Sequence, residues 1–205
     1  TPTDSSSMPM SDKNEITLRE AIHTIGGDAN NIKEDVIAAD NWLGYFEIHI
    51  EQGPVLYKKN IPIALVTAIA GQCRAAVTFT GVAGHAGTVP MDMRQDALSC
   101  ASEFVLATEA YALENKNNLV ATVGKLDVVH AAGNVIAGKV VCSLDVRSAD
   151  ESILISSIQQ TKKRCEEIGA KRNICVDWTV ILQTKPVICN KELNALLTQS
   201  ITEKN

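Results

Sequence analysis

Across residues 73–182 the spacing of hydrophobic positions switches between two periods, near two in some stretches and near three and a half in others. The order this predicts is strand 73–80, helix 94–115, strand 118–129, strand 138–147, helix 151–168 and strand 173–182. The first helix places Ala97, Ala101, Phe104, Val105 and Tyr111 at helical spacing, after Asp92 and Gln95 in a capping-box pattern. The second sets Leu154, Ile158, Cys165 and Ile168 on one stripe, with Ser148 and Glu151 as a capping box and Gly169 as a left-handed stop. Each helix has one apolar face, so both want the same side of one sheet. A β-α-β-β-α-β run folded this way is a ferredoxin-like unit, with helices on one face and the other face free. In strand 138–147, Val140, Cys142, Leu144 and Val146 alternate with Val141, Ser143, Asp145 and Arg147, which puts Arg147 on the free face.

Upstream the pattern is less regular. Residues 1–14 are polar and aperiodic and receive no predicted element; 17–25 and 32–39 read as short helices. Residues 45–51 alternate strictly, with Phe46, Ile48 and Ile50 on one face and Tyr45, Glu47, His49 and Glu51 on the other. Gln52-Gly53-Pro54 ends that strand, a lysine-bearing loop follows, and 62–69 reads as a second strand. After Lys185-Pro186 the chain ends in a predicted helix, 191–203.

Composition narrows the function classes. A formal net charge of -5 with no dense Lys/Arg tract disfavours nucleic acid as a partner, and the free sheet face lacks the stacking aromatics of an RNA-binding βαββαβ domain. Apolar runs such as 63–70 are far shorter than the roughly 20 residues that a membrane helix requires. The six cysteines form no C-x-x-C pair and sit mostly inside apolar patterns, which reads as buried free thiols and a cytoplasmic setting. The chain starts at Thr1 without a secretory pattern and reads as a fragment or a processed product.

Chemistry-bearing residues are few. His49 between Glu47 and Glu51 could be a metal ligand with carboxylate support, although the same pattern fits a strand whose polar face meets water. His85 in Gly84-His85-Ala86-Gly87 is unshielded and could polarise a carbonyl oxygen, or be a surface turn. Asn134 suits a turn or a ligand contact. Arg147 could hold a carboxylate in two parallel hydrogen bonds or pair with Asp145. His23 and His130 show no partner pattern.

Taken together, three stretches carry a resemblance: Phe46-Glu47-Ile48-His49-Ile50-Glu51-Gln52-Gly53-Pro54, Gly84-His85-Ala86-Gly87-Thr88-Val89-Pro90-Met91 with Arg94 and Asp96, and Asn134-Val135-Ile136 with Asp145-Val146-Arg147. From about Thr17 onward the chain resembles the M20-type metal-dependent amidohydrolases, which include allantoate amidohydrolases and N-carbamoyl-L-amino acid hydrolases. The resemblance implies an α/β catalytic domain interrupted by the ferredoxin-like lid, which mediates homodimerisation. Residues 1–70 would be a partial catalytic segment, 71–183 the lid and 184–205 the return.

It also implies roles. His49 would be a ligand in a centre of two divalent ions, Zn or Mn, and Gln52 a substrate contact beside it. His85 would stabilise an oxyanion in the partner subunit's site, and Asn134 and Arg147 would hold the carboxylate of a small-molecule substrate. The sequence departs from the family at Ala137, where proline is usual, and at Tyr57-Lys58-Lys59. It has no counterpart of the family's His-x-Asp, bridging Asp, Glu-Glu pair or final metal-binding His, so this chain alone is expected to hold metal weakly and not to turn over substrate. The reading from another class is a non-catalytic dimerising or small-anion-binding module.

Overall fold

The computed structural model describes residues 11–202. They form two compact units, one ending at Ile61 and one starting at Pro62.

In the first unit, Thr17 and Glu20 form the capping box that starts helix α1 (Leu18–Thr24), close to the sequence expectation. Most of the aperiodic leader lies outside the described residues. Its end, 11–14, is held by a bridge from Ser11 to Thr17 and by Asp12 accepting the amides of Asn14 and Ile16. The expected helix at 32–39 is a series of turns. Its amides reach back three residues, Glu34 to the Asn31 carbonyl and Val36 to the Lys33 carbonyl, which closes single turns rather than a continuing helix.

The expected strand at 45–51 takes no regular secondary structure and forms no ladder. Its apolar face remains uncovered, with Ile48 fully exposed. Alternation specifies which way side chains point, but a strand needs a neighbour to take up its backbone groups, and none pairs with it among the described residues. The supposed loop after Pro54 contains a short helix, α2 (Val55–Lys59).

In the second unit, only the last two residues of the expected 62–69 strand pair. They form β1 (Ala68–Ile69), antiparallel to β8 (Val187–Ile188), and helix α5 (Lys191–Thr202) follows. Between them lies the expected βαββαβ unit: β2 (Gly71–Thr80), β3 (Gly84–His85), α3 (Ala97–Glu114), β4 (Val120–Val128), β5 (Val135–Ile136), β6 (Lys139–Ser148), α4 (Glu151–Lys171) and β7 (Cys175–Thr184). The four long strands form an antiparallel sheet in the order β4-β6-β2-β7, the ferredoxin-like order.

The core lies between one face of this sheet and both helices. Ala75, Val77 and Phe79 of β2 and Val140, Cys142, Leu144 and Val146 of β6 meet Cys100, Ala101 and Phe104 of α3 and Leu154, Cys165 and Ile168 of α4. Small residues on α3 let the helix lie close to the sheet. Burial raises the thiols of Cys100 and Cys142 to about 11 and that of Cys165 to about 12, so they pack as small hydrophobes and are not available as nucleophiles. All six cysteines are free, with Cys175 exposed and Cys189 intermediate.

The helix boundaries differ from expectation in instructive ways. Asp96, not Asp92, caps α3, accepting the amides of Leu98 and Ser99. Arg94 is tied back to carbonyl groups of the preceding loop, which holds the chain extended until Asp96. Asp150 caps α4, while Ser148 donates to the Asn118 carbonyl and accepts the Asp150 amide. Gly169 lies inside α4. A Cβ there would fall 2.5 Å from Val176, so this glycine serves close packing on β7, and Asn173 supplies the left-handed residue after the helix.

Candidate functional site

The two ends of β6 carry two different groups of polar residues. At its Lys139 end the chain crosses over, with the Gly81 amide donating to the Gly138 carbonyl at 2.8 Å. Beyond that crossing β3 pairs with β5, setting His85 opposite Val135, and the Ala86 amide donates to the Asn134 carbonyl at 2.9 Å. His85 and Asn134, 49 residues apart in sequence, therefore stand side by side on exposed backbone.

Arg94 organises the His85 loop from beneath. Its guanidinium donates to the carbonyls of Val89 (3.1 Å) and Ala86 (2.7 Å), and the His85 carbonyl accepts the amides of Thr88 and Val89. Nothing in periodicity identifies this role, which depends on two carbonyls turned inward by a tight loop. A hollow of about 780 Å³ opens at the same end, but its lining includes His130, Val135 and Ile136 and neither His85 nor Asn134.

Arg147 occupies the other end of β6, on the face opposite the core, as alternation predicts. It lies eight residue steps along the strand from Lys139, about 27 Å at roughly 3.4 Å per residue. Within one chain, then, Arg147 is not brought together with Asn134 or His85. The Asp145 carboxylate takes Nε (2.9 Å) and Nη2 (2.8 Å) of Arg147, and Arg74 on the neighbouring β2 adds a third bond at 3.1 Å. Two guanidiniums around one carboxylate leave one positive charge in excess, and Asp145 fixes the plane of Arg147 through its Nε–Nη2 side. Gln72, the cross-strand partner of Arg147, carries a buried Oε1 with no hydrogen-bond partner, an acceptor left over on the same face.

The hydrogen bonds from Arg147, together with Arg74, hold the Asp145 carboxyl below the ordinary carboxylate range despite partial burial. A depressed native pKa stabilises the fold at pH values above the unfolded value of about 4, and that contribution is lost as pH falls through the native value. Urea midpoints of this chain should therefore drop on acidification below about pH 4, and Asp145→Asn should drop less over the same range. An identical acid slope in the variant would refute the linkage.

His49 lies in the first unit, about half exposed. Its Nδ1 contacts the Ile50 carbonyl and its Nε2 lies 4.0 Å from Glu47, which also accepts the Tyr45 hydroxyl at 2.8 Å. The polar face read from the sequence is thus present at Tyr45, Glu47 and His49. Glu51 is diverted: it accepts the amides of Val55 and Leu56 and so caps α2. Gln52 is exposed, with a left-handed φ of 52°, and turns the chain toward Gly53-Pro54. His23, in the last turn of α1, and His130, left-handed after β4, are exposed.

Among the described residues no three His, Cys, Asp or Glu side chains are grouped to hold a metal. His49 presents a ligand nitrogen, but the donors present do not fit a two-metal centre.

Comparison with known proteins decides the family. The peptidase dimerisation domain of the M20 group matches residues 67–173, just over half of the 205 residues. The chain belongs to this family. Allantoate deiminase 1 of Glycine max is 32% identical over 215 residues, covering 93% of this chain and 44% of that protein. N-carbamoyl-L-amino-acid amidohydrolase of Pseudomonas sp. (strain NS671) is 33% identical, covering 94% and 47%. The crystal structure of a hydantoinase/carbamoylase family amidase from Burkholderia ambifaria superposes with a TM-score of 0.85 at 28% identity, covering 98% of this chain and 48% of that one. This M20 chain spans about half the length of the relatives it matches, and among its described residues no helix is long and apolar enough to cross a membrane.

Proposed function

We propose that this chain is the lid-bearing part of a homodimeric, metal-dependent amidohydrolase that cleaves a ureido or carbamoyl C–N bond in a small carboxylate-bearing substrate. Allantoate and N-carbamoyl-L-amino acids both fit that description. The observation that carries the reading is the β3–β5 pairing that presents His85 beside Asn134. It occurs in a chain aligned along most of its length with allantoate deiminases and carbamoyl amino acid hydrolases.

In this reading His85 donates a hydrogen bond to the developing oxyanion and Asn134 fixes the substrate next to it. Arg147 binds the carboxylate through its outer edge, Gln52 contacts substrate, and His49 is one metal ligand. The length of β6 between Arg147 and the His85–Asn134 pair supports a site completed across a dimer, with the two groups supplied by different copies. Zinc or manganese would complete the centre in the full-length protein. Free thiols support a reducing, cytoplasmic setting.

The test is hydrolysis of allantoate and a panel of N-carbamoyl-L-amino acids by the full-length protein, with and without Mn²⁺ or Zn²⁺. Metal-dependent release of ammonia or amino acid is expected there. This chain alone should show no turnover and only weak metal binding by calorimetry. Inactivity of the metal-loaded full-length protein would remove the hydrolase reading and favour an anion-binding module built on Arg147.

A further inference from the structure

The two histidines with chemical roles in the sequence meet opposite backbone neighbours. At His85 the neighbour is a donor: the Gly87 amide lies 3.0 Å from Nδ1. A backbone N–H can only donate, so Nδ1 accepts and the single proton of the neutral ring sits on Nε2. At His49 the neighbour of Nδ1 is an acceptor, the Ile50 carbonyl, which requires the proton on Nδ1 and leaves the Nε2 lone pair for a metal.

The ring of His85 is seated as well as paired. A Cβ on Gly87 would fall 3.2 Å from Cε1 and 3.4 Å from Nδ1, so the imidazole packs directly over a position with no side chain. The backbone beneath it is held at Ala86 by Asn134 and Arg94 and at Val89 by Arg94. We infer that Gly87 is a positioning residue whose amide locks His85 as the Nε2–H tautomer, so that the outer edge of the ring offers a donor and no lone pair. The catalytic consequence rests on the function proposed above. His85 would donate a hydrogen bond to a developing oxyanion, and with no lone pair on that edge it could not take a proton from the attacking water as the general base.

The tautomer can be read on this chain without substrate or metal. Long-range ¹H–¹⁵N correlation spectra at about pH 8, where an ordinary imidazole is neutral, distinguish protonated from unprotonated ring nitrogens for each of the four histidines, with His85→Gln giving the assignment. We expect His85 to show an unprotonated Nδ1 and a protonated Nε2 in a single population, and His49 to show the reverse. Gly87→Pro removes the amide donor, and should convert His85 to a mixture of tautomers. A wild-type His85 that is protonated on Nδ1, or already mixed, overturns the inference, as does a Gly87→Pro spectrum unchanged at His85. If the tautomer is as expected but the full-length protein hydrolyses nothing, the function falls and the positioning role stands. An active enzyme with Nδ1–H at His85 removes only the positioning role.

Discussion

Replacing Phe104 by alanine should lower the stability of the ferredoxin-like unit by about 3–5 kcal/mol, the usual cost of deleting a large buried aromatic side chain. Phe104 is 0% exposed, and its ring centroid lies 5.6 Å from that of Phe79, also 0% exposed, where α3 crosses the sheet. The ring is surrounded by elements distant in sequence, so the cavity cannot be filled by moving one loop. Against a total stability of roughly 5–15 kcal/mol for an ordinary domain, the loss is a large fraction. Urea denaturation followed by circular dichroism measures it. Leu106→Ala on the same helix is the control: Leu106 is 64% exposed, so its midpoint should scarcely move. Equal shifts in the two variants would contradict the packing of α3.

That core was legible because period carries enough information where both partners of a contact lie within the chain. Val140, Cys142, Leu144 and Val146 alternate in sequence and are all buried, and Arg147 faces away from them as alternation requires. Residues 45–51 alternate as strictly, yet they form no ladder, since alternation encodes the faces of a strand and not the presence of its neighbour. Helix ends were less legible for a similar reason. Asp92, Asp96, Ser148 and Asp150 are all suitable caps, and the choice is made by tertiary hydrogen bonds from Arg94 and Ser148 that no local pattern records.

The candidate site divides along the same line. His85, Asn134 and Arg147 were legible as residues, through the motifs that contain them. Their grouping was not. Pairing of β3 with β5 joins His85 to Asn134, and the full length of β6 separates both from Arg147, facts of register that depend on how far each strand runs. The grip of Asp145 on Arg147 had a local signal, since residues two apart on a strand share a face. The third member, Arg74, comes from another strand, 71 residues away in sequence.

In the full-length protein Arg147→Ala should reduce kcat/KM for a carboxylate-bearing substrate by about 2 kcal/mol or more, roughly 30-fold, the value of a charge-assisted contact made to a bound anion. Removing the guanidinium also leaves Asp145 with Arg74 alone, which turns a site with one excess positive charge into a neutral one. Unchanged kinetics would remove the assigned role. A sharper form of the experiment tests whether the site is shared. His85→Ala and Arg147→Ala should each be impaired as homodimers. If each site takes Arg147 from one copy and His85 from the other, a mixed dimer contains one intact site. Random mixing then restores about a quarter of the wild-type sites, because half of the dimers are mixed and each carries one good site of two. If both residues served the same copy's site, no mixed dimer would contain an intact one and mixing would restore nothing. Recovery on mixing is the expected outcome, because a strand about 27 Å long stands between the two groups in a single chain.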